Sequence, residues 1–350
     1  MSKRRTTSSD LTRQFHEGDL SDDSAAQSQK FNKRSKFNQQ MKTERTAALR
    51  LRLMSGDVDT LPAGEVVQVF SLYLELEHEG RRLLAVVKKT LVKVRNTTPV
   101  VGDLVRFRAV DNNEPGSPEA VVEDILERKT LLTRSDSFKQ QVEHPIVANA
   151  QQMLIVVSLL HPRAKWGLVD RMLIAAEAGG LVPILVVNKL DLVEGPDAVP
   201  EGPDAWAEAK PVLAHYRSLG IDVVETSVAM GIGIEAVRER LAGRTTVLAG
   251  HSGVGKSRLV TAVQPGLDIR VGEVSQITEK GKHTTTSARR YDLPAGGRVI
   301  DTPGVKVFGL WGVTPENLPD FFPDVEDETA PAWRKLSYKR IAASIEAKTH

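Results

Sequence analysis

The sequence predicts a multidomain chain in which a small N-terminal β-barrel precedes a parallel α/β domain and a short helical C-terminal segment. Three observations predict it. Short alternating apolar runs crowd into residues 66–122; fully apolar runs alternate with helical stretches after about residue 135; and a glycine-rich turn at 250–257 sits between one such run and a helix. At 350 residues the chain has room for two or three domains. Its 41% hydrophobic and 26% charged residues are ordinary globular values, which exclude wholesale disorder and fibrous architectures. No stretch approaches the ~18 consecutive apolar residues of a membrane span, and Met1-Ser-Lys-Arg-Arg5 leads into polar sequence where a signal peptide needs an apolar segment. A cytoplasmic protein with no membrane partner is expected. The absence of cysteine excludes disulfides, iron–sulfur clusters and cysteine-ligated zinc.

The net charge of +2 conceals an uneven distribution: residues 1–55 hold twelve Lys/Arg against six acids, so the remainder is slightly acidic. Residues 1–30, rich in Ser, Thr, Gln and Asp, cannot bury enough surface to offset ordering. From Phe31 to about Met54 the text is basic and helix-permissive, compatible either with a solvated arm or with a helix formed on a partner. Residues 1–60 are therefore read as a basic, largely disordered arm.

After Pro62-Ala-Gly64 come Val66-Val-Gln-Val-Phe70, Leu83-Leu-Ala-Val-Val87, Leu104-Val-Arg-Phe107 and Ala120-Val-Val122, with no helix-length periodic segment between them. Four or five short strands in about 70 residues predict an OB-type β-barrel over 61–135. Barrels of this kind often bind oligonucleotides, although fold alone does not establish that here. The α/β domain, 136–312, follows: Met153–Ser158, a helix over Val169–Ala178, Val182–Val187, a helix near Ala205–Ser218, Val223-Val224, a helix over Ile234–Leu241, Thr246–Ala249, a helix opening at Lys256, and Arg298-Val-Ile300. Strands buried on both faces and alternating with helices make a parallel sheet.

Gly250-His251-Ser252-Gly253-Val254-Gly255-Lys256-Ser257, with Arg258 in the helix behind it, satisfies G-x-x-x-x-G-K-[ST] between a strand and a helix. Its glycines let backbone N–H groups wrap phosphates, Lys256 reaches the β- and γ-phosphates, and the Ser257 hydroxyl ligates Mg²⁺. Asn188-Lys189-Leu190-Asp191 stands at a strand's C-terminal end, where α/β sheets bind ligands. The Asp191 carboxylate accepts two hydrogen bonds from the N1–H and N2–H₂ edge of guanine, which adenine cannot donate; Lys189 lies along the ring and Asn188 ties the two loops together. Glu225-Thr226-Ser227-Val228 offers a backbone N–H to guanine O6. Asp301-Thr-Pro-Gly304 caps the strand ending Val299-Ile300, with Asp301 as the acid that holds Mg²⁺ through water and Gly304 as a γ-phosphate contact. Between them, Gly281-Lys-His283-Thr-Thr285-Thr286 supplies hydroxyls, Thr285 among them, to complete the Mg²⁺ shell.

The order of these motifs is informative. An ordinary small GTPase runs from phosphate loop to switch threonine, Asp-x-x-Gly, Asn-Lys-x-Asp and a final Ser-containing loop. Here the last two come first, at 188 and 226, and the phosphate loop follows at 250, so the α/β domain is circularly permuted.

A permuted GTPase domain behind a small β-barrel resembles the RsgA (YjeQ) family, GTPases of late small-subunit assembly. The resemblance covers about residues 62–324. It rests on Gly102-Asp103, Leu131-Leu-Thr-Arg134, Asn149, Asp170-Arg171, Asn188–Asp191, Leu248–Ser257, Lys282–Thr286 and Ile300–Gly304. It implies GTP hydrolysis accelerated by the small ribosomal subunit, with Mg²⁺ as cofactor and the subunit's rRNA as partner for the barrel and basic arm of a monomer. A GTP-gated RNA-binding scaffold with little turnover is the alternative. Where Ras-like enzymes orient water with Gln after Asp-x-x-Gly, this chain has Val305, and His283 is the candidate for that role beside Lys256 and Thr285.

Three departures stand out. The family's zinc-binding cysteines are missing, so no zinc is predicted. In their place Pro331–Lys348 reads as a basic helix, with Trp333, Leu336 and Ile341 on one face and Arg334, Lys335, Lys339 and Arg340 on the other. Asn149-Ala-Gln151 replaces Asn-x-Asp, and His251 replaces a usual Gln.

Overall fold

The protein is described from a computed structural model, covering residues 41, 43–53, 56–70, 73–110, 116–134, 144–267, 288–294, 296–302 and 309–349. It divides into two compact units, Met1–Leu61 with Lys88–Asn96, and Pro62–Val87 with Thr97–His350. In the first unit, residues 43–53 of the expected arm are helical, as their Ala and Leu content favours. Residues 1–40 lie outside the described residues. The unit's second helix, α1 (Lys89–Arg95), was hidden in the sequence by its valines. It ends on Asn96 at φ 52°, with Lys93 and Arg95 in its last turn, where positive charge meets the negative end of the helix dipole.

The second unit begins with five strands: β1 (Ala63–Val69), β2 (Leu74–His78), β3 (Arg81–Val87), β4 (Leu104–Ala109) and β5 (Ala120–Ile125). They run in the order β1-β2-β3-β5-β4 and close through a β1–β4 pairing. A register shift between Val66 and Gln68 marks where β1 bends. Val66, Leu76, Ala85, Val105, Phe107 and Val122 fill the interior. Asp103, fully buried, ends the turn that enters β4. It accepts from Val100 N (2.8 Å) and from both Nε (2.7 Å) and Nη2 (2.8 Å) of Arg128, while Asn149 Nδ2 donates to Gly102 O at 2.8 Å. Barrel turn and the chain entering the α/β domain are thus joined at Gly102-Asp103 and Asn149, residues on which the family resemblance rests.

A two-stranded antiparallel sheet of β6 (Leu131–Arg134) and β7 (His144–Ala148) leads into the α/β domain. There, β8 (Gln152–Ser158), α2 (Trp166–Ala178), β9 (Val182–Asn188), α3 (Gly202–Ser218), β10 (Asp222–Glu225), α4 (Ile234–Leu241), β11 (Thr245–Ala249), α5 (Lys256–Val263), β12 (Arg289–Asp292) and β13 (Arg298–Asp301) alternate. The sheet order is β10-β9-β8-β11-β13-β12, parallel except for β12. Strand β8 is buried throughout because both its faces are covered. Met153, Ile155 and Val157 pack in the core that includes residues of α2 and α3, Leu154 and Val156 in the core that includes residues of α4 and α5.

The C-terminal helix α6 (Ala332–Thr349) corrects the face expected for it. Leu336 is 48% exposed, whereas Arg334 is 4% exposed and shares the inward face with Ser337, Ile341 and Ile345. Ile341 and Ile345 join Ile174, Leu318 and Phe322 in a small core. Arg334 turns inward because two carboxylates await it: Nη1 bonds Asp170 of α2, and Nε lies 3.1 Å from Asp324. A periodicity reading places every arginine outside; a buried partner reverses that.

Candidate nucleotide-binding site

The motifs among the described residues converge on one edge of the sheet, at the C-terminal ends of its parallel strands, where α/β sheets bind their ligands. At the end of β11 the chain turns through Gly250–Gly255 into α5. Gly250 has φ 134°, and a Cβ there would lie 2.1 Å from Val156 O, so only glycine lets the loop press against β8. Lys256 Nζ folds back over this loop, donating to Gly250 O (2.8 Å) and His251 O (3.1 Å). Burial lowers its pKa, and the nearby Asp301 charge opposes that shift.

Asp301 ends β13, opposite Leu248 of β11, and is 3% exposed. Burial pushes its carboxyl up to about 6, against the pull of Lys256 and of the Thr302 N–H. A carboxylate whose pKa burial raises this far is suited to a dication beside it, and Ser257 stands in the first turn of α5. These residues fit Mg²⁺.

The candidate base-reading arm is built from two strand ends. Asn188, buried at the end of β9, donates from Nδ2 to Val254 O at 2.9 Å and accepts from Thr226 Oγ1 at 3.0 Å. It thereby holds the phosphate loop and the loop after β10 in one frame. Gly255, at φ 97°, makes room for it, since a Cβ there would lie 2.5 Å from Asn188 Nδ2. Lys189 adopts φ 65° and donates from Nζ to His161 O; burial lowers its pKa, Arg258 adds to that, and Asp191 opposes it. Asp191, in a single 3₁₀ turn, accepts from Ser227 Oγ at 2.5 Å, and Ser227 Oγ accepts from Met230 N at 3.2 Å. The backbone N–H of Ser227 is taken by Ile232 O at 3.0 Å, which leaves Val228 as the loop's candidate donor to a base carbonyl.

His283, Thr285 and Gly304 lie outside the described residues. The other predicted site residues are brought together: Asn188, Lys189, Asp191, Ser227 and Val228 at the base end, and Gly250, His251, Ser252, Gly253, Val254, Gly255, Lys256, Ser257, Arg258 and Asp301 at the phosphate end. Thr226 falls inside a motif the sequence offers, although its hydroxyl's bond to Asn188 is not foreseen there, and His161 meets Lys189 through its carbonyl, which leaves no side-chain signal.

Comparison with known proteins agrees with this geometry. Residues 125–311 match the family model described as RsgA GTPase. A small ribosomal subunit biogenesis GTPase RsgA of Ectopseudomonas mendocina is 36% identical over 276 residues, covering 79% of this chain and 76% of the relative. The RsgA of Pseudomonas aeruginosa strain UCBPP-PA14 is 36% identical over 293 residues, covering 83% and 80%. Among solved structures, YjeQ from Thermotoga maritima superposes with a TM-score of 0.60 at 27% identity, covering 81% of this chain and 98% of that one. YloQ, described as a circularly permuted GTPase, superposes at 0.57 and 23% identity over 82% and 96%, a likeness of fold. With the permuted motif order, the closed barrel and the clamped base-reading arm all in place, the chain belongs to the RsgA GTPase family.

Proposed function

We propose that this GTPase binds GTP with Mg²⁺ and hydrolyses it on the small ribosomal subunit during that subunit's maturation. The carrying observation is the frame of Asn188, which bonds both the phosphate loop and the loop beside Asp191, so that base identity and phosphate position are read by one rigid arrangement. Asp191 selects guanine, Lys256 offsets charge on the transferring phosphoryl group, and Ser257 and Asp301, with Thr285, would hold the metal. When bound, Mg²⁺ supplies neutralisation of phosphate charge. His283 remains the candidate for orienting the attacking water. The relatives named above are small-subunit biogenesis GTPases, which supports the subunit as partner. In this reading the barrel and basic arm meet rRNA, and the protein is a cytoplasmic monomer. Its domains run 61–135, 136–312 and 313–350 behind the arm.

The test is GTP turnover by the purified protein with and without small ribosomal subunits at two salt concentrations. Subunits should raise the rate about tenfold or more, and high salt should abolish the gain, because binding that neutralises several phosphates is steeply salt-dependent. GTP binding with no gain from subunits would move the protein to the class of nucleotide-gated RNA-binding scaffolds.

A further inference from the structure

Strand β12 belongs to none of the nucleotide motifs, yet it is the only strand of the α/β sheet that also pairs with the barrel among the described residues. On one side Arg289 stands opposite Asp301 of β13; on the other it stands opposite Gln68 of β1. Gln68, Arg289, Asp301 and Leu248 therefore form one row across four hydrogen-bonded strands, from the barrel wall to the strand that feeds the phosphate loop.

A single register pair between β1 and β12 is a weak seam, and six charged side chains reinforce it. The barrel contributes Glu65, Glu77 and Arg82, one from each of its first three strands; β12 and β13 contribute Arg290, Asp292 and Arg298. Three cations meet three carboxylates. At the centre the Arg290 side chain is 0% exposed, with Nη1 2.9 Å from Glu65, Nη2 3.0 Å from Asp292 and Nη2 bonded to Glu77. Arg82 bridges Asp292 (2.8 Å) and Glu77 (3.2 Å), and Arg298 lies 2.9 Å from Glu65. A guanidinium buried this completely keeps these three carboxylates around it in the observed register of barrel against strand, and sliding the barrel strips it of partners it cannot exchange for water.

We infer that Arg290 is a positioning residue through which contact at the barrel reaches Asp301, so that docking of the barrel on its partner sets the hydrolytic rate. This rests on the small-subunit reading proposed above. The coupling is carried by a contiguous row of backbone pairs and one ion cluster, a physical connection that variants can cut without touching nucleotide or rRNA.

The cut is made with Arg290→Met plus Glu77→Gln, which leaves Arg82 paired to Asp292 and Arg298 to Glu65 and keeps the cluster's charges balanced. Arg290→Lys, which retains charge and one bond, is the conservative partner. Four readouts are taken on the full chain: turnover alone, KM for GTP, affinity for small subunits with a non-hydrolysable GTP analogue, and turnover with subunits. Turnover alone, KM and subunit affinity should stay within about twofold of the unmodified protein, while stimulation falls about tenfold and Arg290→Lys recovers part of it. Undiminished stimulation in a folded double variant would overturn the inference. So would an equal fall in basal and stimulated rates, or a loss of subunit affinity matching the loss of rate, since either marks Arg290 as structural support alone. If the double variant does not fold, Arg290→Lys carries the test, and full stimulation in it, with basal rate intact, counts against the coupling. Should the unmodified protein show no stimulation, the small-subunit reading itself fails, a result the unmodified arm reports by itself.

Discussion

Arg334→Met isolates what fastens the C-terminal helix. The substitution keeps an unbranched apolar stem and removes the charge, the fork and the guanidinium's stacking on Phe322, whose ring centre lies 4.0 Å from the guanidinium carbon. Left behind is Asp170, 0% exposed, with the Tyr216 hydroxyl at 2.8 Å, and Asp324, still bonded to His215 at 2.7 Å. Breaking a buried pair from one side leaves an uncompensated charge and costs about 3–5 kcal/mol. Converted at the entropy of a domain this size, the transition moves down by roughly 6–20 °C. Because a multidomain chain need not melt as one unit, the decisive assay is amide hydrogen exchange of residues 332–349, where a loss of about 3 kcal/mol speeds exchange roughly 150-fold. The loss should depend on pH. Burial already raises the Asp170 pKa against the pull of Arg334, and removing Arg334 raises it further. A carboxyl with a raised folded pKa favours the folded state below its unfolded value near 3.8, and that advantage fades as pH rises through the folded pKa. The deficit of the variant should therefore be smaller at pH 5 than at pH 8. Arg334→Lys should recover only part, since one ammonium cannot serve carboxylates on two sides. Unchanged exchange in Arg334→Met at both pH values would refute the reasoning and assign the docking to Ile341 and Ile345 alone.

Asp191→Asn exchanges an acceptor for a donor opposite the guanine edge; GTP affinity should fall about 10–100-fold and xanthosine triphosphate should gain, measured by competition, with an unchanged ratio of the two counting against Asp191 as the base reader. Gly250→Ala places a Cβ 2.1 Å from Val156 O in a backbone conformation that L residues avoid, and should weaken nucleotide binding about tenfold or more by calorimetry. In chelator and without nucleotide, Asp301 should make stability fall as pH rises from about 4 to about 6. Its carboxyl, buried at 3% exposure, titrates near 6 when folded and at an ordinary 3.8 when unfolded, a difference of about 3 kcal/mol. Urea titrations at pH 4.5 and 7 should show this slope in the unmodified protein and lose it in Asp301→Asn.

The phosphate loop, the base-reading strand end and the permuted order are legible in the sequence because their spacing answers to a ligand, whose dimensions do not change with the rest of the fold. Gly250–Ser257 and Asn188–Asp191 carry that spacing whole, and the strands before them are apolar enough on both faces to be found. What escapes is charged. Strand β2, Leu-Glu-Leu-Glu-His, and strand β12, Arg-Arg-Tyr-Asp, are not among the apolar runs that predict strands, and Arg334 is expected on the polar face. Each becomes regular or buried only because of a partner remote along the chain: Arg290 meets Glu77 across 213 positions, Arg298 meets Glu65 across 233, and Arg334 meets Asp170 across 164. Local periodicity measures the cost of burying a charge and cannot see the opposite charge that offsets it. The same limit explains why Arg334 is expected outside and Leu336 inside while Trp333 and Ile341 are placed correctly, since an apolar side chain needs no named partner to be inside. It follows that the features least legible here, β2, β12 and the inward Arg334 of α6, are those whose structure depends on joining parts of the chain. Substitutions there should disturb communication between elements more than the folding of any single one.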